Sequence, residues 1–391
     1  MPQDTCTLPD LCAKVACLQS DMDTMWGDFY GADERVYIAT GNIGIPAAQD
    51  YTSAFTVYQD DQIEYMRGTG VINGENPDGL FLVGGSNFDY TNRLASVPYP
   101  LINQELKVAG FSALIAAKKV FPVMGDYDYF IAFDKVSGTV PERMADTYLR
   151  LFSYLPDAKR YYSVYDDKTN TEFFVLSSGR YTNYNPTVPT TGYIFPNDIL
   201  VGGEQWNWLA QRCASTPARN RVVIFTDPFV SVPDNFRGVQ NQGANNVFPD
   251  FATWDFASLG IKLIINGRAG NSFHLKKSSI NIVNASAFSR SRFGITEVAT
   301  NVDPPAAPPL YGQAGYIVEY LSHQPMEDMI RNVNMPNPPP INIVPKNEFF
   351  RMRCRKDGIT CEFVSYDPYA ASQQLTNDSQ VIEHTFEISA I

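Results

Sequence analysis

The chain has 391 residues and is acidic, with 30 Lys and Arg residues against 42 Asp and Glu residues. A chain of this length can bury one large core or two domains, and without a Lys or Arg cluster it has no means of binding a phosphate backbone, which excludes nucleic acid as a partner. No apolar stretch approaches the roughly 18 residues of a membrane span, so membrane insertion is excluded as well.

Apolar side chains near the N-terminus alternate at spacings of three and four residues, which is typical of a coiled coil. Thr7 can cap such a helix and Gly27 can end it. The a and d positions would be Leu8, Leu11, Val15, Leu18, Met22 and Met25. This seam is narrower than the stripe of a helix packed on a globular core. We therefore predict an oligomerisation or anchoring helix in residues 1–33, with a single amphipathic helix packed on its own domain as the alternative.

The chain beyond residue 34 alternates strand and helix patterns. Short apolar runs predict buried strands at 36–40, 80–83, 221–225, 261–265 and 280–283, and a helix is predicted at 100–120. This order predicts an α/β sandwich of two mixed sheets flanked by helices, formed by residues 34–391. His274 is expected in a loop, either on the surface or as a satisfied core residue, and the acidic pairs Asp60-Asp61 and Asp166-Asp167 are expected in solvated turns.

The last part of the chain, residues 345–391, predicts three closing strands at 348–355, 360–365 and 381–388. If Asp357-Gly358 is the two-residue turn of the first hairpin, Cys354 lies directly opposite Cys361. That would be a hydrogen-bonded position, where side chains are farther apart than at the alternate positions. We therefore expect free thiols.

Five short motifs follow the predicted strands in chain order. They are Gly41-Asn42-Ile43-Gly44, Gly85-Ser86-Asn87-Phe88, Gly125-Asp126-Tyr127-Asp128, Thr226-Asp227-Pro228 and Gly267-Arg268-Ala269-Gly270. They resemble the Gly-Asp-x-Gly, Gly-Asp-Asn, Gly-Asn-His-Asp, His-x-Pro and Gly-His-x-His motifs of calcineurin-like metallophosphoesterases, in particular the purple-acid-phosphatase-like branch. The segment from Gln205 to Leu209 is similar to the family's Gln-x-x-Trp-Leu helix, and that from Phe173 to Ser178 to its Phe-x-x-Leu-Asp-[ST] strand. The resemblance implies a four-layer αββα sandwich.

Measured against the family, the metal ligands have been replaced. Asn42 and Ser86 stand where carboxylates belong, and Tyr127, Thr226 and Arg268 stand where histidines belong. The chain has three histidines, His274, His323 and His384, and none lies in a motif. Because a two-metal hydrolase needs imidazole and a bridging carboxylate, the resemblance implies a pseudoenzyme with no catalytic residue, no metal and no cofactor.

What remains of the motifs would be a vestigial pocket. Its predicted members are Asn42, Ser86, Asn87, Asp126, Asp128, Thr226, Asp227 and Arg268. The guanidinium of Arg268 could substitute for the lost metal charge by pairing with these carboxylates, and the alternative is that the carboxylates are ordinary loop residues. Trp206 and Trp208 are expected to serve packing.

Two classes of function agree with these patterns. The first is a non-catalytic structural or adhesion protein, such as a bacteriophage tail-fibre or other virion appendage subunit. The second is a divergent metal-dependent phosphoesterase that uses Asp126, Asp128 and Asp227, and a non-viral binding pseudoenzyme is a further alternative. The first predicts a homotrimer joined by the N-terminal helix, contacts with other virion proteins and a possible host surface receptor. Since Met1 to Asp4 begin no signal peptide, it also predicts a virion-surface protein made in a host cytoplasm.

Overall fold

A computed structural model of the chain describes residues 34–41, 56–83, 109–124, 152–156, 159–178, 181–182, 193–194, 201–226, 253–267, 272–285, 317–322, 347–367 and 380–391. Its strands are β1 (Arg35–Thr40), β2 (Gly79–Leu82), β3 (Val120–Pro122), β4 (Tyr162–Asp166), β5 (Thr171–Val175), β6 (Tyr181–Thr182), β7 (Tyr193–Ile194), β8 (Asn220–Ile224), β9 (Leu263–Asn266), β10 (Phe273–Lys277), β11 (Ile280–Asn284), β12 (Ile317–Leu321), β13 (Asn347–Arg355), β14 (Gly358–Tyr366) and β15 (Gln380–Ser389). Its helices are α1 (Thr56–Glu75), α2 (Ser112–Ala116) after a 3₁₀ turn at Ala109–Phe111, and α3 (Glu204–Ser215). No helix within these ranges is long and apolar enough to cross a membrane.

The strands form two mixed sheets and one small hairpin. The first sheet has the order β15-β14-β13-β1-β2-β3, and the second has the order β12-β10-β11-β9-β8-β5-β4. Strands β1, β2 and β3 are parallel to one another, as are β5, β8, β9 and β11. Parallel strands are buried on both faces, which explains why the central residues of these strands are mostly Val, Ile, Leu and Phe.

Aromatic rings join the two sheets in the core. The ring of Phe173 in β5 lies 4.5 Å from that of Tyr37 in β1 and 4.9 Å from that of Phe81 in β2, measured between centroids. A second apolar cluster lies on the other face of the second sheet, where Leu209 and Cys213 of α3 pack against Phe174 and Val223. The predicted α/β sandwich of two mixed sheets is confirmed.

Most of the predicted strands are present within one or two residues of their expected bounds, including the three closing strands β13, β14 and β15. The predicted helix at 100–120 is wrong at its end. In the described part, α2 ends at Ala116 and Val120 begins β3. Lys118 between them has a φ of 60°, a left-handed conformation that stops a helix.

Three smaller predictions about polar residues hold only in part or are wrong. His274 lies in β10 and not in a loop, but it is a buried histidine with both ring nitrogens bonded, one of the two environments expected for it. Asp60 and Asp61 lie within α1 and not in a turn. Asp166 ends β4 and accepts a hydrogen bond of 3.0 Å from the hydroxyl of Tyr37 in the other sheet, whereas Asp167 lies in an exposed turn as predicted. A tertiary partner therefore overrides the turn preference of Asp166.

The hairpin of β13 and β14 has a different register from the predicted one. Cys354 lies opposite Ile359, and Cys361 lies opposite Met352. The turn residues are Lys356 and Asp357. Gly358 is the first residue of β14. The position requires glycine because a Cβ there would clash with the carbonyl of Ile388 in β15. Both thiols are buried and free, which confirms the expectation of free thiols although its geometric reason was wrong.

A chain of alternating charges runs along β13 and ties α1 to the first sheet. Arg351 donates to Glu75 at the end of α1 (2.9 Å) and to Glu362 of β14 (2.7 Å), and all three side chains are less than 10% exposed. Arg353 continues the chain from Glu362 (3.2 Å) to Glu34 (3.1 Å). Because the central pairs are dehydrated, loss of one partner leaves a buried charge uncompensated.

We expect Arg351→Met to lower the free energy of unfolding by about 3–5 kcal/mol, because Glu75 loses its buried counter-ion. Urea denaturation measures the change. The matched control is Arg355→Met on the same strand, whose charged partners Glu34, Asp357 and Glu387 are each about a third or more exposed. Since those charges stay in contact with water, this variant should lose clearly less stability than Arg351→Met. Equal losses in the two variants would contradict this account of the charge chain.

Candidate functional site

The parallel strands of both sheets point their carboxyl ends to one edge of the sandwich, and three of the five motifs begin there, at Gly41, Thr226 and Gly267. In the first sheet the ladder continues past the strands, with Val83 N–H donating to the carbonyl of Thr40 (2.8 Å) and Val123 N–H to that of Leu82 (3.0 Å). In the second sheet Gly267 N–H donates to the carbonyl of Thr226 (3.1 Å). Active sites of open α/β sheets lie beyond the carboxyl ends of strands.

The two sheets contact each other directly at this edge. Gly41 N–H, which follows β1, donates to the carbonyl of Ala285, which follows β11, at 2.7 Å. Thr226 Oγ1 donates to the carbonyl of Val123 at 3.2 Å. A Cβ added to Gly267 would lie 2.5 Å from the carbonyl carbon and the Cβ of Val83, and closer still to the carbonyl oxygen. Glycine at position 267 therefore permits the close approach of the sheets.

Of the predicted pocket, Thr226 is the member that the structure describes, and it is fully buried. The other seven lie outside the described residues: Asn42, Ser86, Asn87, Asp126, Asp128, Asp227 and Arg268. The described residues next to the motifs lie at this edge, as the order of the motifs predicts. They are Gly41, Val83, Met124 and Gly267. That the pocket itself is assembled there stays a prediction.

The described part of the edge does not supply the donors of a two-metal centre. Such a centre needs carboxylates and imidazoles that fix two ions about 3.5–4 Å apart. Thr226 offers a neutral hydroxyl that is already bonded to Val123. Among the described residues, no group of three or more His, Cys, Asp or Glu side chains could hold a metal ion.

Two asparagines at this edge were missed by the sequence analysis. Asn266 ends β9 and Asn284 ends β11, the two are paired in register, and both are fully buried. Asn266 Nδ2 donates to the carbonyl of Phe225 (3.2 Å). Asn266 Oδ1 and both polar atoms of the Asn284 side chain have no partner among the residues described. The sequence signal that indicates such residues is a polar side chain at the end of an apolar strand. Chemically, neutral amides can orient loops but cannot transfer protons at ordinary pH.

The helix that resembles the family's Gln-x-x-Trp-Leu helix is anchored to the same region. The side-chain amide of Gln205 accepts a hydrogen bond from Ser177 N–H (2.9 Å) and donates one to the carbonyl of Ser177 (3.0 Å). Gln205 is fully buried. Trp206 packs against Trp254 at 5.1 Å, and Trp208 packs against Tyr161 at 5.2 Å, between centroids. The predicted packing role of the two tryptophans is confirmed.

No family model matches the sequence, and no curated protein sequence matches it. Solved structures do match. The structure of PhoD is 10% identical in sequence, the match covers 92% of this chain and 70% of that chain, and the TM-score is 0.50. Purple acid phosphatase PPD1 from seeds of yellow lupin (Lupinus luteus) is 10% identical with a TM-score of 0.48, and the match covers 92% of this chain and 54% of the lupin chain. GAP50, the anchor in the inner membrane complex of Plasmodium, is 10% identical with a TM-score of 0.42, and the match covers 92% and 90% of the two chains.

The match to PhoD, with its TM-score of 0.50, confirms the predicted class of fold. The two mixed sheets form an α/β sandwich of the metallophosphoesterase type. The chain spans about half the length of the lupin phosphatase. At 10% identity the likeness concerns the fold alone.

We expect Gly267→Ala to lower the free energy of unfolding by at least about 1–3 kcal/mol, the usual cost of overpacking a core. The added methyl group would push the second sheet away from Val83. The matched control is Gly70→Ala on the exposed side of α1, where a Cβ would meet nothing within 4 Å. There the same substitution should stabilise by about 0.5–1 kcal/mol. If Gly267→Ala leaves the free energy of unfolding unchanged in thermal or urea denaturation, the sheets do not depend on this contact.

Proposed function

We propose that this chain is a non-catalytic structural or adhesion protein that uses a metallophosphoesterase-like fold as a scaffold. Thr226 carries the proposal. The resemblance expects a metal-binding imidazole at this position, and the chain has a hydroxyl that donates to the carbonyl of Val123 in the opposite sheet. The side chain at a former ligand position therefore serves cohesion between the sheets.

The use of histidine in the rest of the chain supports the same proposal. Of three histidines in the sequence, His274 has both ring nitrogens within hydrogen-bond distance of protein partners, Nδ1 at 3.1 Å from His384 and Nε2 at 3.0 Å from Asn281. An imidazole bonded at both nitrogens is not free to ligate a metal. His323 lies outside the described residues.

The competing proposal is a divergent phosphoesterase that depends on Asp126, Asp128 and Asp227. The full chain should show no turnover of p-nitrophenyl phosphate, with or without Mn²⁺ or Zn²⁺, above that of a variant in which all three are replaced by Asn. Carboxylates without imidazole are poor ligands for these ions, so metal analysis of the purified chain should find no stoichiometric metal. Metal-stimulated turnover that the triple variant loses would establish the competing proposal.

Within the structural class, we propose a virion appendage subunit, such as a bacteriophage tail-fibre protein, displayed on the virion surface. The support comes from the sequence: the heptad from Leu8 to Met25, the low charge content of 18%, and long polar segments such as 180–199 and 234–250. The structure places the short hairpin of β6 and β7 within the first of these segments. The heptad residues lie outside the described ranges. The proposal includes a homotrimer, contacts with other virion proteins and recognition of a host surface receptor. A non-viral binding pseudoenzyme is the alternative.

The oligomerisation part of this proposal has a direct test. We expect replacement of Leu11 and Leu18 by Asp to convert the oligomer into folded monomers, because two charges would face the apolar seam. Sedimentation gives the mass of the oligomer, and circular dichroism shows whether the fold is kept. The control replaces Ala13 and Ser20 by Asp, which adds the same charge at outward f positions of the predicted heptad. A double Asp variant at the seam that sediments like its parent would exclude the helix as the joining element.

A further inference from the structure

Four aromatic rings in contact, contributed alternately by the two sheets, connect β15 of the first sheet to β10 and β12 of the second. Tyr320 of β12 stacks on His384 of β15, with 5.2 Å between ring centroids and 5° between the planes. His384 contacts His274 of β10 at 5.3 Å, and His274 stacks on Phe386 of β15 at 3.9 Å and 17°. We refer to these four residues as the ring stack.

One hydrogen bond in the ring stack joins two imidazoles. Nδ1 of His274 lies 3.1 Å from Nε2 of His384. On its other side, His274 Nε2 lies 3.0 Å from Oδ1 of Asn281, whose Nδ2 donates to the carbonyl of Lys262 (3.2 Å). The amide oxygen accepts, so His274 carries its proton on Nε2 and its Nδ1 is the acceptor for the Nε2–H of His384. The bond therefore requires at least one of the two imidazoles to be neutral.

The surroundings of the pair determine where a proton goes first. Lys276 on β10 disfavours a positive charge on His274, and so does His384 itself when charged. Glu319 on β12 favours a positive charge on His384. Glu348 of β13 accepts from Tyr320 (2.5 Å), and Glu383 of β15 accepts from Ser365 of β14 (2.6 Å). His384 is half-buried, whereas His274 is buried.

We propose that the His274–His384 pair is an acid-released latch between the two sheets. A first proton goes to Nδ1 of His384 and leaves the imidazole–imidazole bond in place, since Nε2–H still donates. A second proton can bind only Nδ1 of His274, the acceptor of that bond. Two N–H groups of two cations then face each other, the bond is lost, and β15 separates from β10 and β12. Release therefore takes up two protons.

The direction of the pH dependence agrees with this sequence of events. Burial lowers the pKa of His274 to about 4, and burial also lowers the pKa of His384, against the effect of Glu319. Groups whose pKa is lower in the folded state bind more protons after opening, so the closed state loses stability as the pH falls. For His274 the loss begins below the ordinary histidine pKa of about 6.5 and continues to about pH 4.

Amide hydrogen exchange of the full chain tests the latch, because it reports local opening strand by strand. Between pH 7 and pH 4, after correction for intrinsic exchange, we expect protection of β12 and β15 to fall at least tenfold more than that of β5 and β8. Because release takes up two protons, the loss of protection should approach a second-order dependence on proton concentration. Equal loss of protection in all four strands would overturn the proposal.

Three variants separate the latch from general acid sensitivity. His384→Gln keeps an amide donor where Nε2 lies and removes one titrating group, so the order should drop from two toward one. His274→Phe keeps the stack on Phe386 and removes the acceptor, so β15 should be less protected at pH 7 and should respond to acid more weakly than in the parent. His323→Gln, the third histidine, should behave like the parent. An unchanged acid response in His274→Phe, or a response abolished by His323→Gln, would exclude the latch.

A second measurement needs no substitution. NMR titration of the imidazole resonances of the parent should give pKa values for His274 and His384 below that of an ordinary histidine. If both titrate at or above about 6.5 while β15 stays protected, the pair does not hold the sheets together by the neutral bond and the proposal is wrong.

Discussion

At the carboxyl ends of their parallel strands the two sheets meet main chain to main chain, with Gly41 bonded to Ala285 and Gly267 against Val83. Packed sheets ordinarily lie about 10 Å apart with side chains between them, so this contact fixes their separation at one edge. It also determines where the loops after the strands begin. Three of the motifs that resemble the metallophosphoesterase family start from this line of contact, at Gly41, Thr226 and Gly267.

The side of the sandwich formed by β10, β12 and β15 is joined by different chemistry. There, rings rather than main-chain atoms span the space between the sheets, and one bond of 3.1 Å between His274 and His384 lies among them. Main-chain hydrogen bonds do not titrate near neutral pH, whereas a bond that needs a neutral imidazole does. The two junctions should therefore respond differently to acid. The charge chain through Arg351, which is buried and matched, stabilises the first sheet independently of both.

The fold was predictable where the physical signal is local and strong. Apolar runs such as 221–225 are strands because both faces of a parallel sheet are buried, and Gln205 indicated the anchored helix. Local sequence does not predict the conformation of a residue whose partners are distant along the chain. His274 has strand geometry because β11, β12 and β15 surround it, and no local pattern reports that. Gly358 was assigned to a turn, but it is required by the close approach of Ile388, a residue far along the chain.

The same division explains how such a fold can persist when residues of its motifs change. The groups that hold the sandwich together are apolar strand residues, Gly267 at the sheet contact, and the paired amide of Gln205 with Ser177. None of them is a metal ligand in the motifs that the chain resembles. Residues at the ligand positions of the motifs can therefore change without removing the contacts that determine the fold. Thr226 stands where the resemblance places a histidine, and its hydroxyl adds a hydrogen bond between the two sheets, so a side chain at such a position can contribute to the cohesion of the sandwich.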